Sequence, residues 1–368
     1  MKIGILNEVK KGEKRVSVTP NIIKLLKDKG FDCLVEKDAG HAAQFKNSAY
    51  KDVGAKIMTG KEIFESAEII VKINPPNKKE IELLREGQIV VSKLYHLSNP
   101  ELIESLASKG VSAFSMDAMP RISRAQDMDV LSSQNNLAGY KAVIRGAYEM
   151  TKIFPLMMTA AGTITPSRVL IFGVGVAGLQ AIATAKRLGA IVQATDIRSE
   201  TKEQAESLGA KFISVDNEGE ESEGGYAKEA SKEYEERQKA AVTESLIKAD
   251  LVITTALIPG RKAPVLITKE QVDQMKTGAV IIDLAAGQGG NCEYSKLNQI
   301  VDVNGVKVIG TIMSPESVST NASELFGKNI YNFLSHLVDE NGFKWELDEE
   351  ITDGTLIIHN GKIRKPVN

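Results

Sequence analysis

The sequence predicts an α/β protein of two Rossmann-like domains with parallel sheets, the first discontinuous, and a cleft between them. Three observations predict it. Short apolar runs alternate with amphipathic helical segments along most of the chain. A glycine-rich turn sits between one such run and a helix. The length of 368 residues also suits two domains of roughly 150 residues each.

In the first third, strands are expected at 2–7, 31–36, 69–74, 88–95 and 111–116. The helix between the first two is well punctuated: Thr19 can cap it, Pro20 suits its first turn, and Gly30 follows its end. A second series of strands is expected at 169–172, 191–195, 211–215, 251–255, 280–284 and 306–310. These runs are nearly continuous in apolar residues, as required when both faces of a parallel sheet are covered. A helical pattern over 131–152 connects the two series, and another over 322–338 crosses back. The expected domains are therefore 1–130 with 312–368, and 131–311. One segment, 216–240, breaks the rhythm with dense charge around Gly224-Gly225-Tyr226. It reads either as a solvated loop entering a polar helix or as a lid hinged at its glycines.

Forty-six basic against 48 acidic residues give a formal charge of −2, too little to draw nucleic acid or an anionic membrane. Two cysteines, Cys33 and Cys292, cannot form a disulfide framework and fit a reducing cytosol. Four scattered histidines and no CxxC or HExxH spacing argue against a metal site. No run reaches the ~18 apolar residues of a membrane span, so a membrane role must come through a partner.

The strongest local signal is Gly173-x-Gly175-x-x-Gly178, directly after an expected strand and before a helix over 179–188. Gly173 allows a tight turn, Gly175 a close approach of backbone to pyrophosphate, and Gly178 close helix–strand packing. The helix N-terminus offers free N–H groups to the phosphates. Asp196 ends the next strand, where a carboxylate can hold both hydroxyls of an adenosine ribose and repel a 2′-phosphate. That favours NAD(H) over NADP(H), although Arg198 close by is also what an NADP site uses. The bland alternative is a glycine turn needed only for packing. Thr254–Gly260 and Leu284–Gly290 follow strands of the same sheet and should line the nicotinamide half of the cleft. Leu257 there would press on a ring or belong to an ordinary loop.

Several longer motifs together resemble one family. They are Met119-Pro-Arg-Ile-Ser-Arg-Ala-Gln-Asp-Met-Asp-Val-Leu-Ser-Ser133, Met157-Met-Thr-Ala-Ala-Gly162, the run around Gly173 to Gly178, and Gly224-Gly-Tyr-Ala-Lys-Glu229. The family is the NAD(H)-binding domain I, or soluble alpha subunit, of Re/Si-specific proton-translocating NAD(P) transhydrogenase. The likeness runs from the Lys14-Arg-Val-Ser-Val-Thr-Pro20 segment to Asn329. Alanine dehydrogenase shares the two-domain plan and is the nearest rival. It is similar at Arg15 and His96, which hold and polarise pyruvate in that family. It has a Lys where this chain has Asn74, and an Asp where this chain has Gly287. An amide and a glycine cannot carry the protons that reductive amination moves. Arg15 and His96 then read as inherited scaffolding, a surface or interdomain ion-pair arginine and a hydrogen-bonded histidine near a sheet edge.

The resemblance implies direct hydride transfer from NADH to NADP, which needs positioning of two rings rather than proton-carrying groups. It places Arg121, Gln126, Asp129 and Ser132 in the family's RQD loop. Arg121 would donate to a pyrophosphate or to the nicotinamide carboxamide, Asp129 and Ser132 would engage that carboxamide, and Gln126 would reach the second nucleotide. Local alternatives are Asp129 or Ser132 as a helix cap, and Arg121 and Arg124 as solvated charges. Tyr226, with Gly225 before it, falls on the family's mobile-loop tyrosine. Gln238 and Leu257 are further implied nucleotide contacts, with Val176, Ile197 and Arg198 beside the glycine turn and Asp196.

The family also implies a homodimer that is peripheral on the inner face of the cytoplasmic membrane. It would meet an NADP-binding beta subunit and a membrane-spanning subunit, neither contained in this chain. The alternatives are an alanine dehydrogenase acting alone and a non-catalytic NAD-binding regulatory module.

Overall fold

The computed structural model describes residues 1–215, 232–258, 261–310, 315–340 and 342–365. The chain divides into two compact units, Met1–Gln134 with Pro315–Asn368, and Asn135–Ser314. The first division falls inside the helix Val130–Glu149.

The first unit is built on parallel strands β1 (Lys2–Ile5), β2 (Asp32–Glu36), β3 (Lys56–Met58), β4 (Ile69–Val71), β5 (Ile89–Ser92) and β6 (Ser112–Ser115). Their order is β3-β2-β1-β4-β5-β6, so the direction of winding reverses between β1 and β4. Leu356–His359 adds antiparallel to β6, and Lys362–Ile363 adds antiparallel to that strand. The sheet is thus parallel with an antiparallel margin, a common form in α/β proteins.

Alternation along the strands supplies both faces. Ile3, Ile5, Val35, Val71 and Val91 share a core with Ile22, Ile23 and Leu26 of the helix Pro20–Asp28. Leu34, Ile70 and Val90 share the opposite core with Ile63, Ile103 and Leu106. The helix Ser319–Leu337 closes the first face by fully burying Phe326, Ile330 and Phe333. Each contributes roughly 1.5–3 kcal/mol by leaving water. Thr19 precedes the helix Pro20–Asp28 in extended conformation, but its side chain caps nothing, and Oγ1 is buried without a partner. The expected Thr19 cap is therefore absent, whereas Gly30 ends the helix with φ +88°.

In the second unit the helix Val130–Glu149 is followed by an antiparallel hairpin, β7 (Met157–Thr159) and β8 (Gly162–Ile164), every strand residue of which is exposed. Its main sheet comprises β9 (Arg168–Phe172), β10 (Ile191–Thr195), β11 (Lys211–Phe212), β12 (Leu251–Thr254), β13 (Val280–Asp283), β14 (Gln299–Val303) and β15 (Val306–Gly310). The order is β11-β10-β9-β12-β13-β15-β14, with all pairs parallel except β14–β15. Its winding reverses between β9 and β12. Neither the hairpin nor β14 stands out in the sequence, because their residues are exposed or only half-buried and lack an apolar run.

Gly139 explains how the helix Val130–Glu149 lies so close to its neighbour. A Cβ there would come within 2.1 Å of the Ala177 carbonyl oxygen.

Candidate functional site

The glycine turn occupies the carboxyl end of β9, beside the point where the sheet of the second unit reverses. Gly173 has φ +92°, a conformation that costs an L side chain roughly 1–2 kcal/mol, and its N–H donates to the Thr195 carbonyl at 2.9 Å. Gly175 precedes the helix Val176–Arg187, and a Cβ built on it meets nothing within 4 Å. A Cβ on Gly178 would lie 1.8 Å from the Gly173 carbonyl oxygen, so helix and strand touch through that glycine. Thr255 Oγ1 locks the turn from the β12 side by donating to the Phe172 and Gly173 carbonyls at 3.2 and 3.0 Å. Val176 is exposed at the start of the helix.

Asp196 follows β10 and faces this turn. Its carboxylate accepts from the backbone N–H of Val174 at 2.6 Å and of Arg198 at 2.9 Å. Arg198 also closes on it through Nε and Nη2, both at 3.0 Å. Partial burial pushes the Asp196 carboxyl up, but the Arg198 side chain and the two N–H groups outweigh it and hold the carboxyl below its usual range. Ile197, between them, is 99% exposed.

Of two other expected contacts, one has local partners. Gln238 brackets the end of β11, donating to the Ile213 carbonyl and accepting from Val215 N–H. Leu257 is exposed beyond β12. Gly225 and Tyr226 lie outside the described residues.

In the first unit, Asp129 immediately precedes the helix Val130–Glu149. Its Oδ1 accepts from the N–H groups of Leu131 and Ser132, and its Oδ2 from Ser132 Oγ at 2.6 Å. This is a helix cap, and Asp129 and Ser132 make it together. Arg121 and Gln126 are exposed. Arg124 is not merely a solvated charge: it pairs with Glu349 at 3.1 Å and Glu350 at 3.6 Å.

Arg15 makes the expected ion pair, with Glu13, but not at a surface, and His96 departs from expectation. Arg15 is buried rather than at a surface: Nε and Nη2 bind Glu13 at 2.7 and 2.6 Å, and Nη1 donates to Gln134 Oε1 at 2.8 Å. His96 follows β5, an interior strand, and its buried Nδ1 has no partner. Burial lowers its pKa. The histidine is thus neither at a sheet edge nor hydrogen-bonded through Nδ1.

Among the described residues no group of acidic, histidine or cysteine side chains could hold a metal, and no helix is long and apolar enough to cross a membrane. Burial pushes the Cys33 and Cys292 thiols up to about 12 and about 11, so both behave as small core residues.

Likeness to known proteins decides which family carries this geometry. Residues 4–138 match the N-terminal domain and 142–366 the C-terminal domain of the family described as alanine dehydrogenase/PNT. The chain belongs to this family. It is 49% identical over 377 residues to the first segment of the NAD(P) transhydrogenase alpha subunit of Rhodospirillum rubrum, covering 100% of this chain and 98% of that one. A transhydrogenase structure from Sinorhizobium meliloti superposes with a TM-score of 0.91 at 41% identity, covering 99% of this chain and 100% of that one. Alanine dehydrogenase 1 of Staphylococcus aureus is more distant, at 28% identity over 374 residues, covering 99% and 94%. The chain is therefore homologous to transhydrogenase alpha subunits, within an oxidoreductase family.

Sequence reading missed the anchor of the loops in this family's second domain. Asp283, fully buried at the end of β13, accepts from Thr254 Oγ1 and Ala285 N–H on one oxygen. Its other oxygen accepts from Asn291 N–H, Cys292 N–H and Ser295 Oγ. Asn291 then bridges the neighbouring loop through Ala256 and Pro264. A lone acid closing the apolar run Val280-Ile-Ile-Asp283 was the available signal. Lys72, a lone charge inside Ile69-Ile-Val-Lys-Ile73, signals a second buried cluster in the first unit.

Lys93 gives that unit a measurable pH signature. Its Nζ sits 5.5 Å from the Tyr95 ring centroid and has no hydrogen-bond acceptor among the described residues. Burial, with Arg15 adding to it, lowers its pKa to about 8. Between pH 8 and the unfolded value of about 10.5 the unfolded chain binds more protons, so stability rises with pH across that window. The cost of the buried charge is fully present below pH 8, and linkage puts it at about 3 kcal/mol. That figure is already net of the opposing pull of Glu13, Glu8 and Asp117. Lys93→Met is expected to stabilise the protein by about 2 kcal/mol at pH 7. The gain should fade toward pH 10.5 in urea melts. A gain that does not change with pH would contradict this account.

Proposed function

We propose that the chain is the NAD(H)-binding subunit of a Re/Si-specific proton-translocating NAD(P) transhydrogenase. It passes hydride from NADH to NADP held by a partner beta subunit, and a membrane-spanning subunit couples the transfer to proton translocation. The chain itself sits on the inner face of the cytoplasmic membrane as a peripheral component.

The observation that carries this reading is the closed state of Arg15. In a related enzyme acting on an oxo acid this guanidinium would hold the substrate carboxylate. Here Glu13 and Gln134 occupy it. Asn74 and Gly287 stand where proton-carrying groups would be required. A ring-to-ring hydride transfer needs none of them.

The residues present fit NAD(H). Gly175 leaves the space before a helix N-terminus open for a pyrophosphate. Asp196 offers a carboxylate beside the glycine turn, with a charge that disfavours a 2′-phosphate. The bound nucleotide supplies the hydride chemistry, and the protein binds, orients and excludes water. In this reading Asp129 and Ser132, already tied together, present one rigid polar unit to the carboxamide. Arg121 steadies phosphate or carboxamide, and Gln126 faces the second nucleotide. Leu257, Ile197 and Val176 offer apolar contact, Gln238 is a further nucleotide contact, and Gly225 and Tyr226 are assigned to nucleotide binding by the family motif alone.

The exposed β7–β8 hairpin, with Met157 at 44%, Met158 at 76% and Ile164 at 42% exposure, supports a homodimer. The helix Ser319–Leu337 offers little to such a surface, because its Phe326, Ile330 and Phe333 are buried in the core of the first unit.

The test is reconstitution with purified NADP-binding subunit and membrane partner. Hydride exchange between NADH and an NADP analogue is expected only in the mixture. Turnover of pyruvate and ammonia by the chain alone would make it an amino-acid dehydrogenase, and NADH binding without exchange in the mixture a regulatory module. In the active mixture Gln126→Ala should slow transfer about tenfold, roughly 1.4 kcal/mol, with NADH affinity nearly unaltered. A comparable loss of NADH binding would contradict the role given to Gln126.

A further inference from the structure

In an open α/β sheet, ligand lies beyond the carboxyl ends of the strands where the winding reverses. In the first unit that point lies between β1 and β4, and the chain fills it with its own charges. Lys72, after β4, binds Glu80 at 2.7 Å and approaches Glu8 at 3.8 Å. Glu8 accepts from Ile73 N–H at 2.6 Å and from the Asn74 side-chain amide at 3.1 Å. The same amide reaches Glu13 at 2.9 Å. Glu13 grips Arg15, and Arg15 donates to Gln134. An unbroken polar chain thus runs from Glu80 to the first turns of the helix Val130–Glu149.

Its far end is fastened again. Gln134 Nε2 donates to the Ala322 carbonyl at 3.0 Å. The neighbouring Ser133 Oγ donates to Asn329 Oδ1 at 2.7 Å, and Asn329 Nδ2 donates to the Asp127 carbonyl at 2.7 Å. The segment held on both sides, 127–134, contains Asp129 and Ser132 and directly follows Gln126.

Such a network is an expensive way to fill a core. Apolar residues of similar volume often stabilise as well or better than buried ion pairs, which are retained where they fix a particular geometry. Burial pushes Glu8 up against the pull of Lys72. For Glu13 the bonds from Arg15 and Asn74 overcome burial and bring it down to about 2. At one end the network meets the helix Lys78–Leu83 through Glu80, and at the other it fixes the geometry of the segment 127–134.

We propose that the Glu8–Asn74–Glu13–Arg15–Gln134 network positions the segment carrying Gln126, Asp129 and Ser132 for hydride transfer, with Gln134 as its terminal positioning residue. The proposal rests on the transhydrogenase reading and adds to it residues that touch neither nucleotide. Gln134 acts through the helix start. Shifts near 1 Å in such positioning can cost up to about 100-fold in rate.

The experiment uses the full chain reconstituted with its NADP-binding and membrane partners. Gln134→Leu cuts the link to Arg15 and leaves the Arg15–Glu13 pair in place. It should lower the rate of hydride transfer about 20-fold, while NADH affinity, measured on the isolated chain, changes less than about twofold. Gln134→Glu restores an acceptor for Arg15 but cannot donate to the Ala322 carbonyl, so it should recover part of the rate, more than the leucine variant retains. If the leucine variant melts early, the near-isosteric Gln134→Met serves the same comparison. A folded variant with undiminished transfer would overturn the positioning role, as would a loss of NADH affinity parallel to the loss of rate. Failure of the unmodified mixture to transfer hydride would instead overturn the functional reading, and this role with it.

Discussion

Replacing Asp196 by alanine is expected to weaken NADH binding about 100-fold, near 3 kcal/mol, while the fold survives. Hydrogen bonds from two ribose hydroxyls to a carboxylate are worth roughly 1.5–3 kcal/mol each. Part of that gain is offset, because each oxygen already accepts one backbone N–H and one Arg198 donor. The ribose must take over the Arg198 bonds. The pair is exposed on the Arg198 side at 49%, so the exchange costs little. The fold should hold because the turn keeps the Thr255 contacts and the Gly173–Thr195 bond. Selectivity should change as well. Without the carboxylate, Arg198 is released toward a 2′-phosphate, and the gap between NADH and NADPH should narrow. Titration of both nucleotides against wild type and variant checks this. Unchanged NADH affinity would remove Asp196 from the ribose site.

How much of this was legible in the sequence varied with the range of the interaction. The glycine turn was readable because its causes lie within six residues: a turn with positive φ, an open approach and a close helix contact each demand glycine at a fixed offset. The strands were readable because burial on both faces forces apolar runs. Their ends were not, since pairing stops where register runs out: β4 ends at Val71 although Ile73 is still buried. β14 and the β7–β8 hairpin escaped because their apolar residues, exposed as at Met158 and Ile300 or only half-buried, do not form the run that burial on both faces imposes. Thr19 shows the limit of a local rule. It has the residue type and backbone of a cap, yet its hydroxyl is buried without a partner. The site was least legible where partners are distant. Arg15 and Gln134 stand 119 residues apart, and no spacing rule connects them. A lone charge inside an apolar run is the one trace such clusters leave, at Lys72 and Asp283.

Asp283 is where that trace has its largest consequence. Asp283→Ala is expected to destabilise the protein by about 4–5 kcal/mol, at the upper end for a single buried polar change. The side chain satisfies five donors, more than the four acceptor positions of a carboxylate, so one is shared. Alanine leaves those five groups inside the protein with nothing to bind, and each unsatisfied donor costs roughly 1–3 kcal/mol unless water or relaxation relieves it. Relief is available on one side only. Ser295 can turn outward, while the Asn291 and Cys292 N–H groups are held by a segment whose Asn291 side chain is tied to Ala256 and Pro264. Loss of the anchor should therefore also loosen the loop after β12, and NADH affinity should fall in the protein that remains folded. Asp283→Asn separates the two effects. It keeps one acceptor oxygen and turns the other into a donor facing donors, so it should lie between wild type and alanine in stability. Urea unfolding of the three proteins measures the first effect and NADH titration the second. A loss below about 1 kcal/mol for the alanine variant would mean that the loops are held by Asn291 and their own backbone rather than by the buried acid.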